Sequence, residues 1–286
     1  MISRIAILGT GLLGTSVGLA LRAAGFKGSI VGWNRGAEQG QLALSMDAID
    51  SIAADPIEAA RESQVTLLAV PIYATLDFME KLAPVLGPDQ LVTDVGSTKR
   101  LITEAAARLY NAPERTAFLP GHPMAGKERG GAALGDANLF RGAVWLFTDD
   151  PAAKRSAPAA TLVKDWREWV TKMGAKTLDL DAARHDDLVA WVSHLPQFTA
   201  TALSALLEEE VGDAPELKDV GGRALREMTR LGASPFSMWR DIAHTNTEAV
   251  ERALLALEQR LAYLRENLRT PELRDEFEQA NKFRRE

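Results

Sequence analysis

A short apolar run at residues 5–8 leads directly into Gly9-Thr10-Gly11-Leu12-Leu13-Gly14, and a helical pattern follows over 13–24. GxGxxG spacing alone says little. Placed between a strand and a helix it constrains the local fold severely. The first glycine permits a tight turn, the second lets the backbone approach a pyrophosphate, and the third lets the helix lie close on the sheet. The N–H groups at the helix start then point at the anion. Gly9, Gly11, Leu12, Leu13 and Gly14 are therefore expected to contact a dinucleotide. A glycine-rich turn without a ligand is the competing reading, and the strand-turn-helix setting weighs against it. The same glycines, with Gly18, interrupt the uncharged stretch 5–21 behind Arg4, which therefore reads as structure and not as a secretory leader.

Further apolar runs at 30–32, 65–70, 91–94 and 117–119 alternate with helical patterns at 38–46, 56–62, 73–86 and 99–110. Asp55-Pro56 reads as an N-cap followed by a first-turn proline. Strict alternation predicts a parallel sheet covered on both faces. Runs at 144–148 and 177–180 add strands around a helix near 162–173, and beyond 180 the pattern is helical. The expectation is an α/β chain: a Rossmann-type parallel-sheet domain over 1–180, then an all-helical C-terminal domain over 181–286. Pro196 falls inside a helical pattern, where it lacks an N–H and crowds the Val192 carbonyl, so a kink is expected. From Ser234-Pro235 one long helix is expected to run until Pro271. Along it Val250, Leu254, Leu257, Leu261, Leu264 and Leu268 are spaced 4, 3, 4, 3, 4, a heptad seam. That seam suits packing inside the helical domain and a subunit interface equally.

Composition removes whole classes of function. The formal charge of −6 argues against a chain that lives on nucleic acid or anionic lipid. The absence of cysteine excludes a disulfide, a thiolate nucleophile and a Cys-ligated metal, and suits a reducing, cytoplasmic compartment. No metal site is expected, and no stretch is apolar and long enough to predict a membrane span. Any imidazole chemistry must come from His122, His185, His194 or His244. Residues 251–286 mix both charge signs evenly, as solvated helix faces do.

The second strand ends in Trp33-Asn34-Arg35, where an NAD site usually carries an acid for the ribose hydroxyls. Asn34 would not repel a 2′-phosphate and Arg35 suits one, which favours NADP over NAD; Arg35 pointing into solvent is the plain alternative. Val70 at the end of the third of these strands, Pro71 just after it, and Asp94 ending the fourth, complete the expected dinucleotide contacts. Asp94-Val95-Gly96-Ser97-Thr98-Lys99 and Gly121-His122-Pro123-Met124-Ala125-Gly126 both lie where such sheets bind ligands. His122, between glycine and proline, is expected on a short stiff loop facing the nicotinamide, near the hydroxyl of Ser97. His194 and Gln197 share a helix face that the Pro196 kink could turn toward substrate; a satisfied core histidine is an equal reading. Arg223, Arg226 and Arg230 align beside Glu227 as a stripe of the kind that is usually solvated.

Taken together, 9–14, 94–99, 121–126, Ser193-His194-Leu195-Pro196 and 229–241 resemble, in order and over nearly the whole chain, the prephenate/arogenate (cyclohexadienyl) dehydrogenase family of tyrosine biosynthesis. The resemblance implies a nucleotide-binding domain followed by a helical domain that forms a homodimer. It implies oxidative decarboxylation of a cyclohexadienol, prephenate or arogenate, with hydride passing to NAD(P)+. His122 matches the family's catalytic histidine and Ser97 the serine that orients it. Arg230 matches an arginine that binds a substrate carboxylate, which leaves Arg223 and Arg226 on the surface. Some members carry a second histidine where Gln197 stands, a position that bears on prephenate against arogenate. Trp239, Arg240 and Asp241 match a family run and read as structural. His185 and His244 read as structural too, and Asp186 and Asp187 read equally well as surface acids. Neither an added regulatory domain nor a fused mutase is seen, so tyrosine feedback through such a domain is not expected. Two other readings compete. A β-hydroxyacid dehydrogenase or imine reductase shares the plan, but several of these use a lysine in the helical domain, where Lys218 alone stands between Lys176 and Lys282. A nucleotide-sensing regulator would not need His122 on a rigid loop.

Overall fold

A computed structural model describes residues Met1–Arg285, with the side chain of Lys218 excepted, so any role of that lysine lies outside the described residues. Two compact units form. One comprises Met1–Leu188 with Ala233–Thr245; the other comprises Val189–Gly232 and the chain from Asn246 onward.

The first unit is built on a six-stranded parallel sheet in the order β3-β2-β1-β4-β5-β6. Its strands are β1 (Arg4–Leu8), β2 (Ser29–Trp33), β3 (Ser51–Ile52), β4 (Val65–Leu68), β5 (Leu91–Asp94) and β6 (Ala117–Leu119). Strand period decides the layering. Ile5, Ile7, Leu67 and Leu119 join one apolar cluster with Trp145, Phe147 and Trp166. Their neighbours Ala6, Leu8, Leu68 and Phe118 join a second cluster with Phe78, Met79 and Ile102. Helices α1 (Leu12–Ala23), α2 (Ala37–Ser45), α3 (Pro56–Arg61), α4 (Ile72–Leu82) and α5 (Arg100–Leu109) connect the strands. Asp55 caps α3, accepting from Ile57 N and Glu58 N at 2.7 and 2.9 Å.

Several expectations need correction. β7 (Gly121–Pro123) puts His122 on a strand, not a loop: it pairs antiparallel with Leu146 of β8 (Val144–Phe147). A three-residue strand containing proline is too short and too atypical to read as a run. β8 pairs parallel with β9 (Lys176–Asp179), so these strands form a second sheet. α6 (Ala157–Lys172) starts five residues earlier than expected, because Ser156 accepts from Ala159 N at 3.1 Å and Pro158 occupies the first turn. α4 ends four residues before the expected 86.

Helix α7 (Ala182–Val189) leads into a π-helical turn, Ala190–His194, and then α8 (Leu195–Val211). Pro196 is the second residue of α8, so the wide turn directly before it accommodates the donor that proline lacks. The second unit continues with α9 (Leu217–Val220), α10 (Gly222–Thr229), a 3₁₀ turn Arg230–Ala233, α12 (Thr247–Glu266) and α13 (Glu272–Arg285). The single helix expected from 235 to 270 is broken at Asn246, whose φ of −136° and ψ of 32° are not helical. α11 (Phe236–Thr245) belongs to the first unit, where Ile242 and Trp239 pack into the cluster of Phe78. The hydroxyl of Thr245 is engaged by Thr98 Oγ1 at 2.7 Å and by its own helix. Along α12 Val250 is buried, whereas Leu261 is exposed, as is Leu268 beyond the helix end. The seam thus packs internally at its start and opens further on. Among the described residues no helix is long and apolar enough to cross a membrane.

Trp166, fully buried beneath the first sheet, tests this core. Trp166→Ala is expected to cost about 3–5 kcal/mol, read from the denaturant midpoint. A loss under about 1 kcal/mol, within the range of a surface change, would contradict the packing.

Candidate active site

The turn between β1 and α1 has the shape and donors for an anion. Gly9 adopts a φ of +105°, and a Cβ there would collide with the Ala69 carbonyl and Val70 Cγ1. A Cβ on Gly14 would run into the Gly9 oxygen, which is why α1 can lie this close. Beside Gly11, by contrast, the space is open. Gly11 caps α1 without a side-chain bond, so no cap occupies the donors of the first turn, which includes Leu12, Leu13 and Gly14. Thr10 Oγ1 is buried with no hydrogen-bond partner among the described residues. An open cradle, a helix start and an orphaned buried hydroxyl fit a pyrophosphate. Asn34 joins the turn: its Oδ1 accepts from Thr10 N at 3.2 Å, while its Nδ2 donates to the Gly36 carbonyl. Arg35 is exposed. Val70 lies against Gly9, and Pro71 caps α4.

Asp94 is placed differently from its expected cofactor contact. Its carboxylate is fully buried and consumed internally. Oδ2 accepts from Lys99 Nζ and from Gly96 N at 2.7 Å, and Oδ1 accepts from Gly121 N at 3.0 Å. The Lys99 ammonium, also without exposure, donates to the Gly121 carbonyl at 2.7 Å. Desolvation pulls Lys99 below the ordinary lysine value, against the attraction of Asp94. Both ends of the residue preceding His122 are thus clamped, its N–H by Asp94 and its C=O by Lys99.

The His122 side chain is held as well, by residues the sequence reading treats as structural or as surface acids. His122 Nδ1 lies 2.8 Å from His185 Nε2, and His185 Nδ1 lies 2.8 Å from Asp186 Oδ1. Asp186 is buried, not a surface acid. Its two oxygens accept from Lys99 N at 2.7 Å and Arg100 N at 2.9 Å, which caps α5 from α7. Burial holds His185 below the ordinary imidazole value, opposed in part by its bond to Asp186. The hydrogen-bond partner of His122 Nδ1 is therefore His185 Nε2 and not Ser97, which is half-buried on the turn between β5 and Lys99. A histidine followed by an acid, in a helix next to a domain boundary, was the legible but ambiguous signal.

In the second unit His194 is buried, with Asn246 Nδ2 at 3.4 Å from its Nδ1. Gln197 is also buried and donates to Thr201 Oγ1 and, at 2.8 Å, to the Leu231 carbonyl. That second bond ties α8 to the 3₁₀ turn beginning at Arg230. The Arg230 side chain is exposed, as are Arg223, paired with Glu227, and Arg226.

A doubly covered parallel sheet with an anion-receptive first turn, followed by a helical unit, defines a two-domain nucleotide-binding protein. Residues 17–178 match the family model "Prephenate dehydrogenase, nucleotide-binding domain" and residues 181–283 match "Prephenate dehydrogenase, dimerization domain". The chain belongs to the prephenate dehydrogenase family. It is 31% identical to a prephenate dehydrogenase of Lactococcus lactis over 86% of this chain and 65% of that protein. Its similarity to the Bacillus subtilis prephenate dehydrogenase is 30% with the same coverages, so the chain spans just under two-thirds of these relatives. Among solved structures it resembles an Aquifex aeolicus prephenate dehydrogenase in complex with hydroxyphenyl propionate and NAD+. There the TM-score is 0.82 and the identity 28%, covering 100% of this chain and 96% of that one. Synechocystis arogenate dehydrogenase matches with TM-score 0.76 and 29% identity over 98% of both chains.

Removing Lys99 leaves a buried carboxylate without its cation. Lys99→Met is expected to cost about 3–5 kcal/mol of unfolding free energy, measured by urea denaturation. A cost below about 1 kcal/mol, typical of an exposed pair, would contradict the clamp.

Proposed function

We propose that the chain catalyses oxidative decarboxylation of prephenate or arogenate, giving 4-hydroxyphenylpyruvate or tyrosine. The observation that carries this reading is His122, clamped at the backbone and hydrogen-bonded at Nδ1, in a chain whose first turn fits a dinucleotide. The relatives named prephenate, cyclohexadienyl and arogenate dehydrogenase support it. Gly9, Gly11, Leu12, Leu13 and Gly14 would hold the pyrophosphate of a dinucleotide whose nicotinamide would supply the hydride acceptor. His122 accepts the ring hydroxyl proton as hydride leaves the same carbon, which requires a neutral imidazole. Loss of CO2 then delivers electrons into the ring and leaves a phenolate, to which the His122 imidazolium returns its proton. The reaction therefore releases no net proton, and aromatisation makes it irreversible. Ser97 is the group we assign to holding the substrate hydroxyl. Arg230 is assigned to a substrate carboxylate as a planar bidentate donor, with Gln197 fixing its turn through Leu231 and His194 lining the same helix.

Two finer points belong to the same proposal. Arg35 is exposed at the end of β2 and Asn34 is neutral there, which favours NADP as the working cofactor. The open part of the α12 seam, Leu261 to Leu268, is where we place a homodimer contact in the helical unit, in line with the name of the matching family domain.

Two measurements test the reading. With prephenate or arogenate and NADP or NAD, the wild-type protein should generate reduced cofactor. His122→Asn should bind the dinucleotide normally while kcat falls by roughly 10²–10⁴-fold; near-wild-type turnover would remove His122 from the reaction. Arg35→Ala should weaken NADP by about tenfold, some 1.4 kcal/mol, and leave NAD unchanged. Equal effects on both cofactors, or a wild-type enzyme that strongly prefers NAD, would overturn the cofactor assignment.

A further inference from the structure

Resting on the reading of His122 as a base, we propose that His185 and Asp186 act as positioning residues that fix the tautomer of His122, placing its proton on Nδ1 and its basic lone pair on Nε2.

Donor directions along a buried line of side chains fix the tautomer. Asp186 Oδ1 accepts from Lys99 N at 2.7 Å, and a backbone N–H can only donate. The same oxygen lies 2.8 Å from His185 Nδ1, so that nitrogen carries the hydrogen. A neutral imidazole has one N–H, so His185 Nε2 is an acceptor. His122 Nδ1, at 2.8 Å from it, must then donate, and the remaining nitrogen of a neutral His122 is the one able to take a proton. His185 has no exposed surface. The charged and titratable groups that act on it are Asp186 on its own helix, Lys99 beside α5, Asp94 on β5 and His122 on β7. Were His185 charged, both of its nitrogens would donate, and His122 Nδ1 would have to accept. The proton would then sit on His122 Nε2 and the base would be lost.

The arrangement differs from a carboxylate bonded directly to a catalytic imidazole, where removing the carboxylate charge leaves the geometry intact but supplies the wrong tautomer. Here an intervening imidazole inverts nothing: each ring donates at Nδ1 and accepts at Nε2, so the carboxylate's demand for a hydrogen is passed on in the same sense. The line also draws on the fold. Asp186 is held by the first N–H groups of α5, and Lys99 at that same helix start clamps the residue before His122. Backbone and side chain of His122 are referred to one point.

The experiment uses the full chain with 15N-labelled histidine, read by 15N–1H correlation without substrate, together with steady-state kinetics. In the wild type His122 should show a protonated Nδ1 and an unprotonated Nε2. In His185→Phe, which offers no acceptor, that bias should disappear. There kcat should fall by about 100-fold or more with the dinucleotide affinity unchanged, the range lost when a general base is misplaced. His185→Gln, whose Oε1 can accept from Nδ1, should restore the wild-type tautomer and recover most of the rate. A wild-type His122 protonated on Nε2 would overturn the proposal. So would His185→Phe with the tautomer and kcat of the wild type, or His185→Gln with no recovery of either. Should His185→Phe fail to fold, the wild-type spectrum and His185→Gln decide. The tautomer is read without substrate, so lack of turnover with prephenate and arogenate would sink the reaction assignment and leave this inference standing.

Discussion

The ion pair between Lys99 and Asp94 has no solvent-exposed side-chain surface on either partner. Burying two charges costs several kcal/mol each, and their mutual attraction offsets this only when other hydrogen bonds satisfy the remaining atoms. That condition is met here by the peptide groups of Gly96 and Gly121. The pair is therefore tied to the residue directly before His122, and neither charge can move without leaving the other unpaired. A weaker, exposed pair could not impose this. Arg223 with Glu227, for instance, is worth about 1 kcal/mol at most.

From that anchor the rest follows by short steps. Gly121 can sit between the two charges because it has no side chain: a Cβ there would meet the Asp94 carbonyl and Trp145 Nε1, both at 2.8 Å. β7 then pairs with β8, and the packed aromatics Trp145 and Phe147 support it from behind. The start of α5, fixed through Lys99, supplies the N–H groups that hold Asp186, and Asp186 holds His185. Strand, helix start and histidine line share one buried polar cluster. Such a cluster rigidifies when every member is satisfied and fails when one is removed.

How much of this was legible depended on whether the determinant was local. The strand-turn-helix around Gly9–Gly14 is a sequence-local device, and an unbroken apolar run such as Ile5 to Leu8 marks directly a strand covered on both faces. His122 stood out because of its glycine and proline neighbours. What could not be read was set by partners distant in the chain. β7 exists because Leu146 lies opposite His122. Asp94 looked like a cofactor contact until Lys99 folded back on it. Asp186 resembles any surface acid, and only the start of α5, 86 residues away, turns it into a cap. The break at Asn246 was hidden because asparagine and threonine are weak helix formers and not breakers, and the side-chain contact of Thr245 with Thr98, at the end of α11, joins residues far apart in the chain. Pro196 announced a distortion, but whether a kink or a π turn absorbs it is decided by packing.

In the proposed reaction one direction in space is decisive: the buried polar cluster would aim a basic nitrogen of His122 at a proton on the substrate. A crystal structure of the wild-type chain with a bound dinucleotide and a 4-hydroxy-cyclohexadiene analogue measures this directly. His122 Nε2 is expected within hydrogen-bond distance, about 2.6–3.2 Å, of the analogue's hydroxyl oxygen. An Nε2 directed away from it, with another side chain on the hydroxyl, would contradict the account.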